Sequence, residues 1–196
     1  GPMTGETKRQ FEHILPLGFA FLLPWLTLTQ AVLACVGAAV YGLFVSARVN
    51  RAGVRENEKK RGWSVGKLSY ALVVLALVLL FRERIHIACG GWAVLALGDS
   101  ISNIAGRVWG RAGIPWSDKC TWVGSGFYVL ASWIGSTVLV LWAVSATGHV
   151  LPSFNAVVAI CLGASVVAAA VETLPIPIDD NLTSPLAAAG VLAVFL

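Results

Sequence analysis

The chain has 196 residues, of which 57% are hydrophobic and only 12% charged, with a formal net charge of +4. A soluble domain carries about 25% charged residues, so a soluble fold is excluded, and no nucleic-acid partner is expected. Several uncharged stretches reach the ~20 residues that cross a bilayer as a helix. The composition therefore predicts an all-α, polytopic integral membrane protein with one transmembrane domain over 1–196. Apolar segments persist to Leu196, so no signal peptide is expected. Gly1 and Pro2 ahead of Met3 read as a protease-cleavage scar. The four cysteines, at 35, 89, 120 and 161, have the spacing of neither a zinc site nor a disulfide framework.

In chain order, the start is ambiguous. Residues 14–46 run for 33 positions without a charge, about 50 Å as a single helix. That is too long for a ~30 Å bilayer core and short for two spans. Pro24 lies in the middle, and proline breaks or kinks a helix interior. The pattern predicts a hairpin: 13–24, a turn, then 29–46. A basic loop follows over 47–65. Further spans are predicted over 66–82, 86–106, 122–146 and 150–171, with a shorter one over 182–196, seven in all.

Charge bias tests that count. Residues 46–67 hold seven of the fourteen Lys and Arg residues and should be cytoplasmic. Seven spans then place Lys8, Arg9, Arg107, Arg111 and Lys119 on the same side and leave only Arg82 and Arg84 outside. The N-terminus is expected in the cytoplasm and the C-terminus outside. The expected setting is the cytoplasmic membrane of a prokaryote, with the active site at its cytoplasmic face.

The segment GDSISNIAGRVWG, 98–110, breaks the apolar pattern. Asp99, Ser102, Asn103, Gly106 and Gly110 have offsets 0, 3, 4, 7 and 11, which lie along one helical face. Two glycines four apart make a packing surface, but they do not account for the aspartate. A carboxylate at this depth costs ~2.5–3.5 kcal/mol on insertion scales and usually serves a polar cavity. Glu172, and Asp180 with Asn181, fall at the same end of the predicted bundle as Asp99. Carboxylates beside Lys119 and the basic loop suggest a metal–phosphate site, and oxygen ligands suit Mg²⁺.

These residues resemble the CTP-dependent lipid kinases: dolichol kinase, phytol kinase and the CTP-dependent diacylglycerol kinase. That family carries D-x-x-A-x-x-x-G-x-x-x-G-x(8)-K-K-T-x-E-G. This chain has Asp99, Ser102, Gly106, Gly110, then eight residues, then Lys119, Cys120, Thr121, Trp122, Val123 and Gly124. A late glutamate followed by D-N-x-x-x-P is similar to Glu172 and Asp180-Asn181 with Pro185. An N-terminal R-K-x-x-H is similar to Arg9-Gln10-Phe11-Glu12-His13. Cys120 stands where the pattern has a second lysine and Val123 where it has glutamate. These departures remove one phosphate-facing charge and one possible metal or base contact.

The resemblance implies transfer of the γ-phosphoryl group of CTP to a lipid alcohol, either an isoprenoid alcohol such as phytol, geranylgeraniol or a polyprenol, or diacylglycerol. It implies Asp99 and Asp180 as Mg²⁺ ligands with Asn181 beside them, and Glu172 as the base. The nucleotide would meet Ser102, Asn103, Gly106, Gly110, Lys119, Thr121 and Gly124, with Arg107 and Arg111 as weaker candidates. Arg9 and His13 would assist a phosphate. Of the seven basic residues in 46–67, at most one or two should touch CTP; the rest mark sidedness and anionic-lipid contact. Rival readings are a cytidylyltransferase acting on phosphatidate or a prenyl phosphate, a small transporter, and a non-catalytic lipid-binding relative.

Overall fold

The computed structural model describes residues 5–45 and 65–196. Gly1-Pro2 and the basic segment 47–65, except its last residue, lie outside the described residues. Among those described, the structure is helical, with one isolated backbone bridge between Gly113 and Thr121.

Helix α1 spans Gly5–Ile14 and runs into two 3-10 segments, Leu15–Phe21 and Leu23–Trp25. The break expected between 13–24 and 29–46 is there, but the stretch before it is not a regular α-helix. Each 3-10 segment has a proline at its start, Pro16 and Pro24. A proline offers no N–H to the preceding turn, and the chain tightens instead of continuing as α. The chain turns at Leu26, and α2 (Leu28–Val40) begins with a capping box. There the Gln30 N–H donates to Thr27 Oγ1 at 3.2 Å, and the Thr27 N–H donates to Gln30 Oε1 at 2.9 Å. A wider π turn, Tyr41–Val45, ends it.

Helix α3 spans Val65–Leu80. Helix α4, Ile85–Trp109, is interrupted by five residues of π helix, Val94–Gly98. Helices α5 (Trp122–Thr147), α6 (Phe154–Thr173) and α7 (Asp180–Phe195) follow. Three of these, α4, α5 and α6, are long and apolar enough to cross a membrane; α2, α3 and α7 are shorter apolar helices.

The core is built around α4. Its apolar stretch is 78% buried, against 39% for α5 and 33% for α6. Small residues let the neighbours come close, the usual device where lipid removes the hydrophobic drive between helices. A Cβ on Gly90 would lie 2.7 Å from Leu192 Cδ1 of α7 and 2.9 Å from Val140 Cγ2 of α5. The outward faces remain apolar, with Leu33, Leu72, Ile134, Val138 and Val166 exposed. Exposed apolar surface on this scale marks a membrane or partner face.

The bundle has two distinct ends. At one, the Trp142 indole N–H donates to the Phe21 carbonyl at 3.0 Å, and Arg84 donates to the Ala193 carbonyl at 2.9 Å. His86 and His149 stand there with ring centroids 4.8 Å apart, beside a cavity of about 180 Å³. The other end holds a larger, polar cavity.

Gly98, next to Asp99, makes the tightest contact between α4 and α5 near that cavity. A Cβ there would sit 2.3 Å from Ser132 Oγ and 2.9 Å from the Tyr128 ring. The serine hydroxyl can rotate away, but the buried ring cannot. Gly98→Ala should therefore lower stability in detergent by about 1–3 kcal/mol, the usual cost of overpacking. Gly163→Ala, whose Cβ would meet nothing within 4 Å, is the control and should melt within a degree or two of the wild type, as neutral surface changes do.

Candidate functional site

The larger cavity is about 550 Å³ and draws its lining from α1, α3, α4, α5, the end of α6 and the start of α7. Asp99 enters it as the first residue after the π stretch. A π insertion resets the helical register and recurs at functional sites. The Asn103 amide donates to the Asp99 carboxylate and to its backbone carbonyl, both at 3.0 Å, and the Ser102 hydroxyl donates to the same carbonyl at 3.0 Å. The polar stripe read from the sequence is thus a brace around one carboxylate. Its second half does something else. A Cβ on Gly106 would lie 3.1 Å from Thr121 Oγ1, and one on Gly110 would lie 2.2 Å from the Gly106 carbonyl and 2.6 Å from Thr121 Oγ1. These glycines let the start of α5 rest on the end of α4. Gly106 lines the cavity; Gly110 does not.

The connection from Gly110 to Thr121 folds back on itself. The Ile114 N–H donates to the Cys120 carbonyl at 3.0 Å and the Trp122 N–H to the Ala112 carbonyl at 3.2 Å. It is pinned to α6 by the Trp116 indole, which donates to Thr173 Oγ1 at 3.1 Å, and by Cys120 Sγ, 3.8 Å from the Glu172 carbonyl. This brings Lys119, Cys120, Thr121, Gly124 and Ser125 to the cavity. Thr121 caps α5, accepting from the Gly124 N–H at 3.0 Å. That amide is therefore already engaged, which leaves Thr121 the better placed of the two expected donors.

Lys119 forms an ion pair with Asp180. Burial alone would push the Lys119 pKa down, but the hydrogen bond and charge of Asp180, with Cys120 and Glu172 behind, carry it above the ordinary lysine value. Its ammonium stays charged across physiological pH. Burial raises the Cys120 thiol pKa, so a neutral group occupies the position where the related pattern has a second cation.

At the start of α7, Asp179 accepts from the Asn181 N–H at 3.0 Å, and the Asn181 amide donates to Ser69 Oγ at 3.5 Å. Pro185 lies inside α7 and has no N–H for the Asn181 carbonyl four residues back. That links the asparagine and the proline of the D-N-x-x-x-P segment. Helix α1 adds Arg9 and His13. It is held by Tyr70, whose hydroxyl donates to the His13 carbonyl at 2.9 Å and accepts from the Trp92 indole at 2.8 Å.

So the cavity gathers Arg9, His13, Asp99, Ser102, Asn103, Gly106, Arg107, Lys119, Thr121, Gly124, Glu172, Asp180 and Asn181, residues that the sequence had singled out from four separate segments. Gly110 and the exposed Arg111 are not in its lining. It also contains Gly66, Lys67, Cys120, Ser125 and Asp179, to which sequence reading assigned no direct role. Lys67 was hidden in a run of seven basic residues over 46–67. Among the described residues, no three histidine, cysteine or acidic side chains are grouped as a metal cage. The cavity's metal-binding side chains are nonetheless mostly carboxylates, and Mg²⁺ is commonly held by one or two carboxylates plus phosphate oxygens and water. The donor set therefore fits such an ion when a nucleotide shares it.

No family model matches the chain, and no solved structure matches it. Curated relatives do. A Triticum aestivum protein named "Probable phytol kinase, chloroplastic" is 28% identical over 92% of this chain and 64% of its own length. The Arabidopsis thaliana "Phytol kinase 1, chloroplastic" is 29% identical over 96% and 66%, and its "Farnesol kinase, chloroplastic" is 31% identical over 91% and 55%. The chain spans somewhat under two thirds of the length of the first of these. The relatives overturn one expectation. They are chloroplastic plant proteins, which indicates a eukaryotic organelle membrane in place of a prokaryotic cytoplasmic one. Over nine tenths of its length, the chain has phytol and farnesol kinases as its homologues, members of the lipid kinase family whose pattern segment 99–124 resembles.

Proposed function

We propose that the chain transfers the γ-phosphoryl group of CTP to the hydroxyl of a membrane lipid alcohol, with an isoprenoid alcohol as the favoured acceptor. The observation that carries this is the convergence of Arg9, Asp99, Lys119, Glu172 and Asp180 on one cavity at the end of an apolar bundle. A water-soluble nucleotide and a bilayer-dissolved alcohol can meet only at such a boundary. The phytol and farnesol kinase relatives support the acceptor class, and the long motif's resemblance supports CTP as donor. In the same reading the chain crosses the membrane seven times, the 3-10 arm included, and the membrane is that of a eukaryotic organelle.

Phosphoryl transfer asks the protein for positioning and charge neutralisation more than for covalent chemistry. Lys119 and Arg107 hold the phosphates, and the Thr121 hydroxyl donates to a phosphate oxygen. The N-terminus of α5 faces the same cavity, and the positive end of a helix dipole favours an anion. Asp99, braced by Asn103, and Asp180 are the residues that would hold Mg²⁺. When bound, that ion supplies charge neutralisation between neighbouring phosphate oxygens. The lipid oxygen bonds to the γ-phosphorus, the bond to the β-phosphate oxygen breaks, and CDP leaves. Glu172 accepts the alcohol proton. A base must reach that proton, and the last turn of α6 sets Glu172 in the cavity wall.

Purified chain in detergent, given CTP and farnesol, geranylgeraniol, phytol or diacylglycerol, should release CDP in step with lipid phosphate. Pyrophosphate release would establish the cytidylyltransferase instead, and turnover with ATP but none with CTP would remove the donor assignment.

Asp99→Asn keeps the shape and removes the charge. A neutral amide is cheaper to bury than a carboxylate, so folding should be unharmed or slightly improved. kcat should fall at least ~100-fold, the scale of one lost electrostatic contact in a transition state. Asp179→Asn is the comparison: asparagine caps a helix about as well as aspartate, so its cost should stay below about tenfold, as for a contact worth under 1.4 kcal/mol. Near-normal turnover of a well-folded Asp99→Asn protein would end this mechanism.

A further inference from the structure

Lys67 is the cavity residue with a charge and no assigned task. It sits in the first turn of α3, and its ammonium meets Glu12 of α1 at 2.9 Å, the two side chains being only 16% and 19% exposed. Its stem is held in place from behind. A Cβ on Gly42 would lie 3.1 Å from Lys67 Cβ, a tight contact, so the lysine stem lies close against the turn that ends α2. The side chain lines the cavity that also contains Lys119.

At 120, the family pattern has its second lysine, and this chain has a cysteine. The cavity lining still has a second lysine, brought in by another helix. We infer that Lys67 is a phosphate-contacting residue of this site, supplying from α3 the positive charge that Cys120 does not supply from the 119–124 segment. The inference rests on the nucleotide-dependent reading above. Glu12 then acts as a placeholder: it neutralises Lys67 while the site is empty and yields the ammonium to a phosphate oxygen when nucleotide enters. Lys119 stands in the same relation to Asp180, so both lysines of the site are held by carboxylates that a triphosphate can displace.

The two partners of the Lys67–Glu12 pair give opposite predictions, which separates this role from a structural tie between α1 and α3. Binding of CTP and of cytidine to the full chain in detergent is measured by calorimetry, without turnover. Lys67→Gln should weaken CTP about tenfold, the scale of a hydrogen bond to a charged group, and leave cytidine unchanged. Glu12→Gln should hold or tighten CTP, because the competing carboxylate is gone. Cys120→Lys should recover most of the affinity lost in Lys67→Gln and add little to the wild type. Equal weakening of CTP by Lys67→Gln and Glu12→Gln would show that the pair only fastens the helices. Unchanged CTP affinity in Lys67→Gln would remove the lysine from the site and leave the kinase reading standing. A wild-type chain that binds no CTP would overturn both.

Discussion

The Lys119–Asp180 ion pair is the contact on which the site depends. It joins the connection after α4 to the first turn of α7, segments 61 positions apart. The loop carrying Lys119 is fixed to the end of α6 through Trp116 and Cys120, which sets Glu172 beside it. The pair is half exposed, at 55% and 33%, and such pairs contribute ~0–1 kcal/mol. It can therefore fix geometry without locking the lysine away from a phosphate, a balance that a fully buried pair, costly to break, would not permit.

A second constraint comes from packing. Charged groups at the end of an apolar bundle need neighbours close enough to share them, and close approach needs small residues. Gly98, Gly106 and Gly110 provide that approach along α4, with side-chain or backbone atoms of α5 and the loop within 3.1 Å of where a Cβ would stand. The π stretch before Asp99 adds one more adjustment. It places the aspartate after a widened turn, where Ser102 and Asn103 can reach back to it.

Much of this was legible in the sequence because membrane physics leaves strong marks. Long uncharged runs gave the helices α3 to α7 to within a few residues, three of them long and apolar enough to cross a membrane. The offsets 0, 3, 4 and 7 from Asp99 gave one helical face, and the structure puts those four residues in one cavity. What failed to show has physical reasons. The 3-10 arm needs two prolines acting in series, and periodicity is silent about which helix type replaces a broken α-helix. The π stretch carries no sequence mark at all, since Val94–Gly98 reads as ordinary apolar helix. Gly110 shares the stripe's spacing, yet the helix ends at Trp109 and the face it would have extended no longer exists. Lys67 was masked by abundance, because one functional lysine among seven basic residues has no local signature.

The charge balance of the cavity decides what it can hold. Arg9, Lys67, Arg107 and Lys119 stand against Asp99, Glu172, Asp179 and Asp180. In an empty site so composed, acids and bases offset one another in part, which makes it more tolerable at the edge of a bilayer, where isolated charges cost several kcal/mol. The same arrangement disfavours a bare triphosphate, since its oxygens would have to face the acidic side chains. A nucleotide carrying a divalent cation would meet both halves at once: the acids would hold its cation, and its phosphates would take Lys119 from Asp180 and Lys67 from Glu12. In the proposed reading, the site would favour a metal–nucleotide complex over either component alone, with Lys119 already paired to Asp180 and Lys67 to Glu12 before substrate arrives.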